Sequence, residues 1–405
     1  MKTAIVGGGA AGYFAAVNLK EMRPDMEVCI FESGHTVLRK VKVSGGGRCN
    51  CTNTFRLVTD LCHVYPRGHR LMRRLMHEFS QEEAWTWFER HGVRLVAQDD
   101  ECVFPAVQDS QAIIDCLTNH ARRLGVELRL RSRIDSLEAL LEEYDCVVVA
   151  TGGSPRRDGL AWLERCGHEI EPPVPSLFSL SIADESLHAL MGLVAETASV
   201  QLQPLSGGSK AWAGLKAEGA LLITHWGVSG PAILRLSSYA ARHLAEQNYR
   251  AALLVNWTCH SEGKVADELN AIASGGRQRL VANGKPFGLQ QRLWLHIVTR
   301  VLGKEAAATK RWCDLSRKEM NRLVVALTAD RYEVEGRAPF RDEFVTCGGV
   351  SLKSVSPNTL ESRLRKGLYF AGEVLDIDGV TGGFNFQAAW TTAYVVARSI
   401  ALLDS

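Results

Sequence analysis

The sequence predicts an α/β fold organised on a parallel sheet, on three observations. A short uncharged apolar run, Thr3-Ala4-Ile5-Val6, leads straight into glycines at G-x-G-x-x-G spacing, Gly7, Gly9 and Gly12. Helix-forming residues and a second apolar run at 28–31 follow, ending in an acid, Glu32. An apolar run closed by small residues recurs at 144–153 and 367–373. Such runs suit strands buried on both faces, as a helix-covered parallel sheet requires.

Each residue of the first stretch has a physical task. Gly7 permits the tight turn, Gly9 lets a pyrophosphate approach the backbone, and Gly12 lets the helix pack close to the strand. Ala10 and Ala11 open the helix, whose free N–H groups and dipole then face an anion. Glu32, twenty residues past Gly12, is placed to accept hydrogen bonds from both hydroxyls of an adenosine ribose. The stretch reads as a dinucleotide site rather than a bare glycine turn, and the carboxylate would repel a 2′-phosphate there.

A length of 405 residues suggests two or three domains. The net charge of +2, with Lys and Arg spread along the chain, argues against a general polyanion partner, so no nucleic acid is expected. The local basic stretch at 67–74 reads as a solvated helix face. Eleven scattered cysteines without a C-x-x-C indicate neither a zinc ribbon nor a dithiol redox pair, and no metal is expected. They fit a reducing cytosol. No apolar run approaches the roughly 18 residues of a membrane span, and the chain opens on a core strand, which leaves no room for a signal peptide. A cytoplasmic protein with no membrane partner is expected.

Residues 33–53 contain three successive glycines, Gly45, Gly46 and Gly47, flanked by Ser44, Arg48, Asn50, Thr52 and Asn53. Backbone of this kind can pass close to a flat or charged group, with Arg39, Lys40 and Lys42 available to phosphates. The stretch is either a loop over a cofactor or a polar surface loop. Beyond it the pattern predicts helices over 66–92, with a capping box at Ser80 and Glu83, and a hairpin of 93–96 with 102–105. A helix over 110–124 and a strand over 126–130 follow. The strand at 144–150 ends in Thr151 and Gly152, which either abut a ligand or form a plain turn. Pro172, Pro173 and Pro175 then mark a change of composition. An inserted region of roughly 176–340 is strand-like to 256, with turns at 206–208 and 218–219 and a helix over 232–246, and helical from 261. Strand and turn resume at 344–350, and a helix beginning near Gln387 follows the di-glycine Gly382-Gly383. That helix either offers a second N-terminus to negative charge or simply closes the core.

MKTAIVGGGAAGYFAA, SGGGRCNCTN, THWGVSGPAILRLS and FVTCGGVSLKSVSPNTLESRLRKGLYFAGEVLDIDGVTGGFNFQAAW occur in that order over nearly the whole chain. They resemble the motifs of the BaiN/RdsA family of NAD(P)/FAD-dependent oxidoreductases. The resemblance implies a Rossmann-like, glutathione-reductase-like FAD domain of three-layer ββα type, built from two discontinuous segments, 1–175 and 341–405. Between them it implies a β-barrel-like subdomain, 176–256, and a helical one, 257–340, as a substrate-covering region. By motif, Gly7 to Gly12, Glu32 and Ser33 would hold ADP-ribose, with Lys40 beside them. Ser44, Gly45, Gly46, Gly47, Arg48, Cys49 and Asn50 would wrap the middle of the flavin, and Thr151 with Gly152 would line the adenosine side. Gly372, Glu373 and Asp378, with Gly383, Phe384, Asn385, Phe386 and Gln387, would contact the ribityl chain and ring. The segment after Gly153 is shorter than is usual in the family, and Phe386 stands where Leu is common.

The reaction so implied is transfer of hydride from NADH or NADPH, a transient reductant, through FAD to a small organic acceptor. In the named branch of the family the acceptor is a conjugated C=C of a steroid-like enone. No second G-x-G-x-x-G marks a separate nicotinamide domain. His225 is the one motif histidine and the candidate proton donor, beside the reading of a structural histidine; Cys49 reads as a packing residue. A flavin-dependent RNA-modifying protein and a non-catalytic flavin-binding sensor share these cofactor motifs and remain alternatives.

Overall fold

The structure, a computed structural model, describes residues 1–154, 157–206, 210–338 and 345–403. The chain divides into two compact units, Met1–Pro175 with Val345–Ser405, and Ser176–Phe344. In the first unit the elements that matter here are, in chain order, β1 (Lys2–Val6), α1 (Ala10–Met22), β2 (Glu27–Phe31), α2 (Gln81–Arg90), α3 (Gln111–Arg123), β3 (Glu127–Arg129), β4 (Cys146–Val149), β5 (Ile170–Ser176), β6 (Val345–Val350), β7 (Leu368–Phe370) and α4 (Phe384–Ala401). The uncharged runs of the sequence become a five-stranded sheet in the order β7-β4-β1-β2-β3, parallel throughout. β1 lies at its centre, with Ile5 opposite Ile30 on one side and Val148 on the other. Ala4, Ile5, Ile30 and Val147 are wholly buried, whereas edge strand β3 is exposed along its length. β5 and β6 form a separate two-stranded sheet.

Smaller expectations hold. The hairpin forms, with Leu95 opposite Pro105, and residues 52 and 53 join it as a third strand that the pattern did not suggest. Ser80 and Glu83 make the capping box of α2. α4 starts three residues before Gln387, because Gly383, at φ 88°, ends the preceding turn and serves as its N-cap.

An aromatic cluster joins three helices. The Phe14 ring of α1 lies 4.5 Å from Trp87, 5.1 Å from Trp390 and 5.5 Å from Phe79. Phe14 is fully buried, so truncation to Ala costs about 3–5 kcal/mol. At the rim of this cluster His91 stacks on Trp87 at 3.8 Å. Its Nε2 meets Glu21 Oε1 at 2.7 Å and its Nδ1 meets Trp87 O at 2.7 Å.

The second unit is built on a seven-stranded antiparallel sheet. Two expectations are corrected there. The turn expected at 218–219 lies inside the strand Lys216–Thr224. Its partner strand shifts register between Ala195 and Ala198, and Gly219 absorbs the resulting bulge at φ 147°. The helix expected over 232–246 is two helices, Pro231–Tyr239 and Ala241–Glu246, meeting at Ala240. Residues 207 and 208 of the other expected turn lie outside the described residues. The helical stretch does not stand apart as a subdomain. After it, Asp330–Val334 pairs with Ala251–Asn256, and Gly336–Arg337 with Leu180–Ser181. Trp294, Trp312, Leu323 and Leu327 share one core with Leu253 and Val255. Among the described residues no helix is long and apolar enough to cross a membrane.

The His91 contact gives a pH signature. Burial lowers the affinity of the ring for a proton, but the Glu21 and Trp87 hydrogen bonds outweigh it, and the folded-state pKa is raised. A raised pKa stabilises the fold fully below the unfolded value of about 6.5, and the benefit is lost as pH rises through the folded value. Glu21→Gln is therefore expected to lower the urea midpoint at pH 5.5 and to leave it nearly unchanged at pH 8.5; equal losses at both pH values would refute the linkage.

Candidate functional site

The site begins where β1 hands over to α1. Gly7 sits at φ 116°, and a Cβ there would lie 2.3 Å from the Ala150 carbonyl oxygen. A Cβ on Gly12 would lie 2.0 Å from Gly7 O. These two glycines answer to packing. Gly9 does not: it is extended, at φ −92°, and nothing lies within 4 Å of where its Cβ would be. It is the N-cap of the 13-residue helix α1, which has no capping side chain and no acid in its first turn. The end of α1 thus offers N–H groups and dipole to an anion across an open surface. Glu32 is fixed beside it. Its Oε2 accepts from Gly8 N at 2.9 Å, its Oε1 from Gly34 N at 2.6 Å, and the Ser33 hydroxyl lies 3.3 Å from Oε1.

Residues 39–47 form a single helical turn that breaks at Ser44, where ψ is 150°. Gly45, Gly46 and Gly47 then run at φ 56°, 68° and 85°, a left-handed succession that side chains resist. Gly46 and Gly47 face open space. The stretch is pinned at both ends: the Ser44 hydroxyl donates to Val41 O at 2.8 Å, and Arg48 Nε donates to Gly45 O at 3.1 Å while its guanidinium covers the Phe104 ring. Asn50 donates its amide to Thr52 O at 2.9 Å and accepts from Gly383 N at 3.2 Å. Cys49 and Cys51 are wholly buried. Burial pushes the Cys49 thiol up to about 12 and the Cys51 thiol up as well, so both stay protonated at neutral pH and pack rather than react.

The C-terminal segment completes the surface. Gly372 is fitted against α1: a Cβ there would lie 2.8 Å from Ala11 Cβ. Glu373 is a clamp, its Oε1 accepting from Thr346 N at 2.8 Å and its Oε2 from Lys40 Nζ at 2.7 Å. Gly152 and Gly153 lie under it, and Thr151 is exposed. Asp378 is wholly buried and forms an ion pair with Arg67. Asn385 bridges the backbone of Gly379, accepting from its N and donating to its O at 2.8 Å each. Gln387 is buried, accepting from the Thr52 hydroxyl at 2.6 Å and donating to that of Thr391 at 3.0 Å. The Phe384 carbonyl accepts from Tyr65 OH at 2.8 Å, and Phe386 stacks on Trp390. Like α1, α4 begins at a glycine with no capping side chain and no acid in its first turn.

The fold therefore brings the predicted residues of this unit into one region, in two kinds. Gly9, Gly46 and Gly47 leave backbone open, and the starts of α1 and α4 carry N–H groups that no side chain caps. Asp378, Asn385 and Gln387 spend their polar atoms inside the protein, shaping the loop ahead of α4. Sequence reasoning missed Arg67, which it assigned to a solvated basic face, and the partnership of Thr52 with Gln387; no local signal joins positions so far apart. His225 belongs to the second unit. It is exposed in the two-residue turn between the strands Lys216–Thr224 and Gly227–Ser229, its ring 4.1 Å from that of Trp226.

The profile described as HI0933-like protein Rossmann domain matches residues 1–399. A ribosomal RNA dihydrouridine synthase of Haemophilus influenzae is 28% identical, the alignment covering 98% of this chain and 97% of that protein. A 3-dehydro-bile acid delta(4,6)-reductase of Clostridium scindens is 26% identical, with 98% of each covered. A ribosomal RNA dihydrouridine synthase of Escherichia coli is 27% identical, with 98% and 97% covered. The resemblance drawn from the motifs is borne out over the full length.

Asp378→Asn is expected to lower stability by about 3–5 kcal/mol, because the wholly buried carboxylate loses the charge that pairs with Arg67. Arg67→Met with Asp378→Leu is expected to cost clearly less. Urea midpoints of the two variants, compared with the unmodified chain, check both.

Proposed function

The chain belongs to the HI0933-like Rossmann-domain family, and on that premise we propose that it is an FAD-dependent oxidoreductase. It takes hydride from NADH or NADPH and adds it across a C=C conjugated to a carbonyl. The observation that carries this reading is the pair of glycine-capped helix starts, α1 and α4, on a unit where Glu32 stands beside the first and the Gly45 to Asn50 loop is tied to the second. An elongated cofactor with an adenosine at one end, a polar ring at the other and a pyrophosphate between them suits that donor set. When bound, FAD supplies the relay of two electrons between nicotinamide and acceptor.

The chain's own residues bind and orient. The N–H groups at the start of α1 would hold the pyrophosphate, with Gly9 allowing the approach. Glu32 would accept from the ribose hydroxyls. Lys40, positioned by Glu373, would set positive charge beside the phosphates. The start of α4 would favour negative charge on the ring, and the Asn385 bridge and the Asp378–Arg67 pair hold that loop in shape beforehand.

The names of the relatives support the acceptor class. A dihydrouridine differs from uridine by two hydrogens across C5=C6, which is conjugated to the C4 carbonyl. A Δ4 bond beside a 3-oxo group has the same electronic layout. In either, NAD(P)H and one proton are consumed, hydride adds to the β-carbon and the proton to the α-carbon.

The test is an anaerobic visible spectrum of the purified chain. Flavin bands at ~370 and ~450 nm that bleach on addition of NADH or NADPH and return with a conjugated acceptor are the expected result. Absence of bound flavin at saturating FAD overturns the reading. Glu32→Ala and Asn385→Asp are each expected to reduce flavin occupancy, and full occupancy in both would remove the site assignment.

A further inference from the structure

The second unit contains a cleft of about 810 Å³ between the C-terminal half of the helix Gln291–Leu302, the helix Arg317–Thr328 and the start of the strand Asp330–Val334. We propose that this cleft is a docking surface for the phosphate backbone of RNA; the choice of RNA rests on the reading above, in which a uracil ring is one of the acceptors.

Charge is the first argument. Arg317, Lys318, Arg322 and Arg331 line the cleft and are exposed. None of the four side chains has an ion-pair or hydrogen-bond partner among the described residues. The acid lining the cleft is Asp330, and it is committed. It is buried, and it accepts from Trp257 Nε1 at 2.9 Å, from Tyr332 OH at 2.6 Å and from Arg300 Nη1 at 2.7 Å. Arg300 is thereby held in place, its guanidinium 4.6 Å from the Tyr332 ring. Glu319, on the same helix, is taken by Lys310 at 2.6 Å and by the Ser316 cap. Four cations are left uncompensated on one rim, in a chain whose net charge is only +2.

Shape is the second argument. Lys318 and Arg322 are four residues apart on one helix, a rise of ~6 Å, which suits neighbouring phosphates of a strand better than a single anion. The floor is apolar, with Val301, Val325, Ala326 and Ala329, and Val325 is 51% exposed. A cationic rim over an apolar floor suits a strand whose phosphates and sugar or base faces point to different sides, as in groove binding of single strands.

The experiment is fluorescence anisotropy of a labelled uridine-rich RNA hairpin with the full-length, flavin-loaded protein. Flavin reduction by NADH or NADPH is recorded on the same samples. Binding that falls with salt at a log–log slope near −3, as about four phosphate contacts to a single strand require, is expected. The variant R317E/K318E/R322E is expected to bind at least ~100-fold more weakly while its flavin is reduced as before, and Arg250→Glu, a paired cation outside the cleft, to bind as the unmodified chain does. Undiminished binding by the triple variant, or no binding by the unmodified chain while its flavin is reduced normally, overturns the cleft and leaves the oxidoreductase reading standing. Equal displacement of the RNA by polyglutamate overturns RNA as the occupant. Loss of flavin reduction in the unmodified chain counts against the oxidoreductase reading, not against the cleft.

Discussion

The first unit depends on one close approach. The turn at Gly7 runs against the Ala150 carbonyl, and α1 passes over it so tightly that Gly12 has no room for a Cβ. On its other side α1 meets Gly372, where Ala11 fills the space that a side chain would need. Three strand ends, β1, β4 and β7, therefore converge on the first turn of α1. A methyl group at any of these glycines must displace backbone or the neighbouring helix. The open face at Gly9 exists because the positions around it are closed.

Around that point the protein sorts its polar groups into two duties. The starts of α1 and α4 have no capping side chain, which leaves their first N–H groups without an intrahelical partner. The start of α2, by contrast, is capped by the Ser80 side chain. The conspicuous side chains of the C-terminal motif turn inward. Asp378 is neutralised by Arg67, Asn385 is spent on Gly379, and Gln387 on Thr52 and Thr391. A buried polar group left unpaired costs roughly 1–3 kcal/mol, so these residues hold the loop in one conformation. A ligand meeting that loop need not order it.

The second unit handles charge differently. Its buried Asp330 gathers a tryptophan, a tyrosine and an arginine, which satisfies the acid and leaves the outer cations without a counter-charge. The positive rim is a local product of folding. Composition does not reveal it, because the net charge of +2 is summed over the whole chain.

What the sequence determined by itself was local. Period, glycine spacing and an acid at the right distance were enough for the individual buried strands, the turn at Gly7 to Gly12, the place of Glu32, the hairpin and the capping box at Ser80, since each depends on neighbours within about thirty residues. Gly45 to Gly47 were legible as irregular backbone for the same reason, but their left-handed angles were not. Tertiary structure alone decided which distant groups meet: Arg67 with Asp378, Lys40 with Glu373, Thr52 with Gln387, and the strand 330–334 with 251–256. Partners separated by tens to hundreds of residues leave no periodic trace. Their pairing follows from how the packed elements close, and so a basic stretch that looked solvated contains a buried ion pair, and a helical stretch that looked independent completes a sheet.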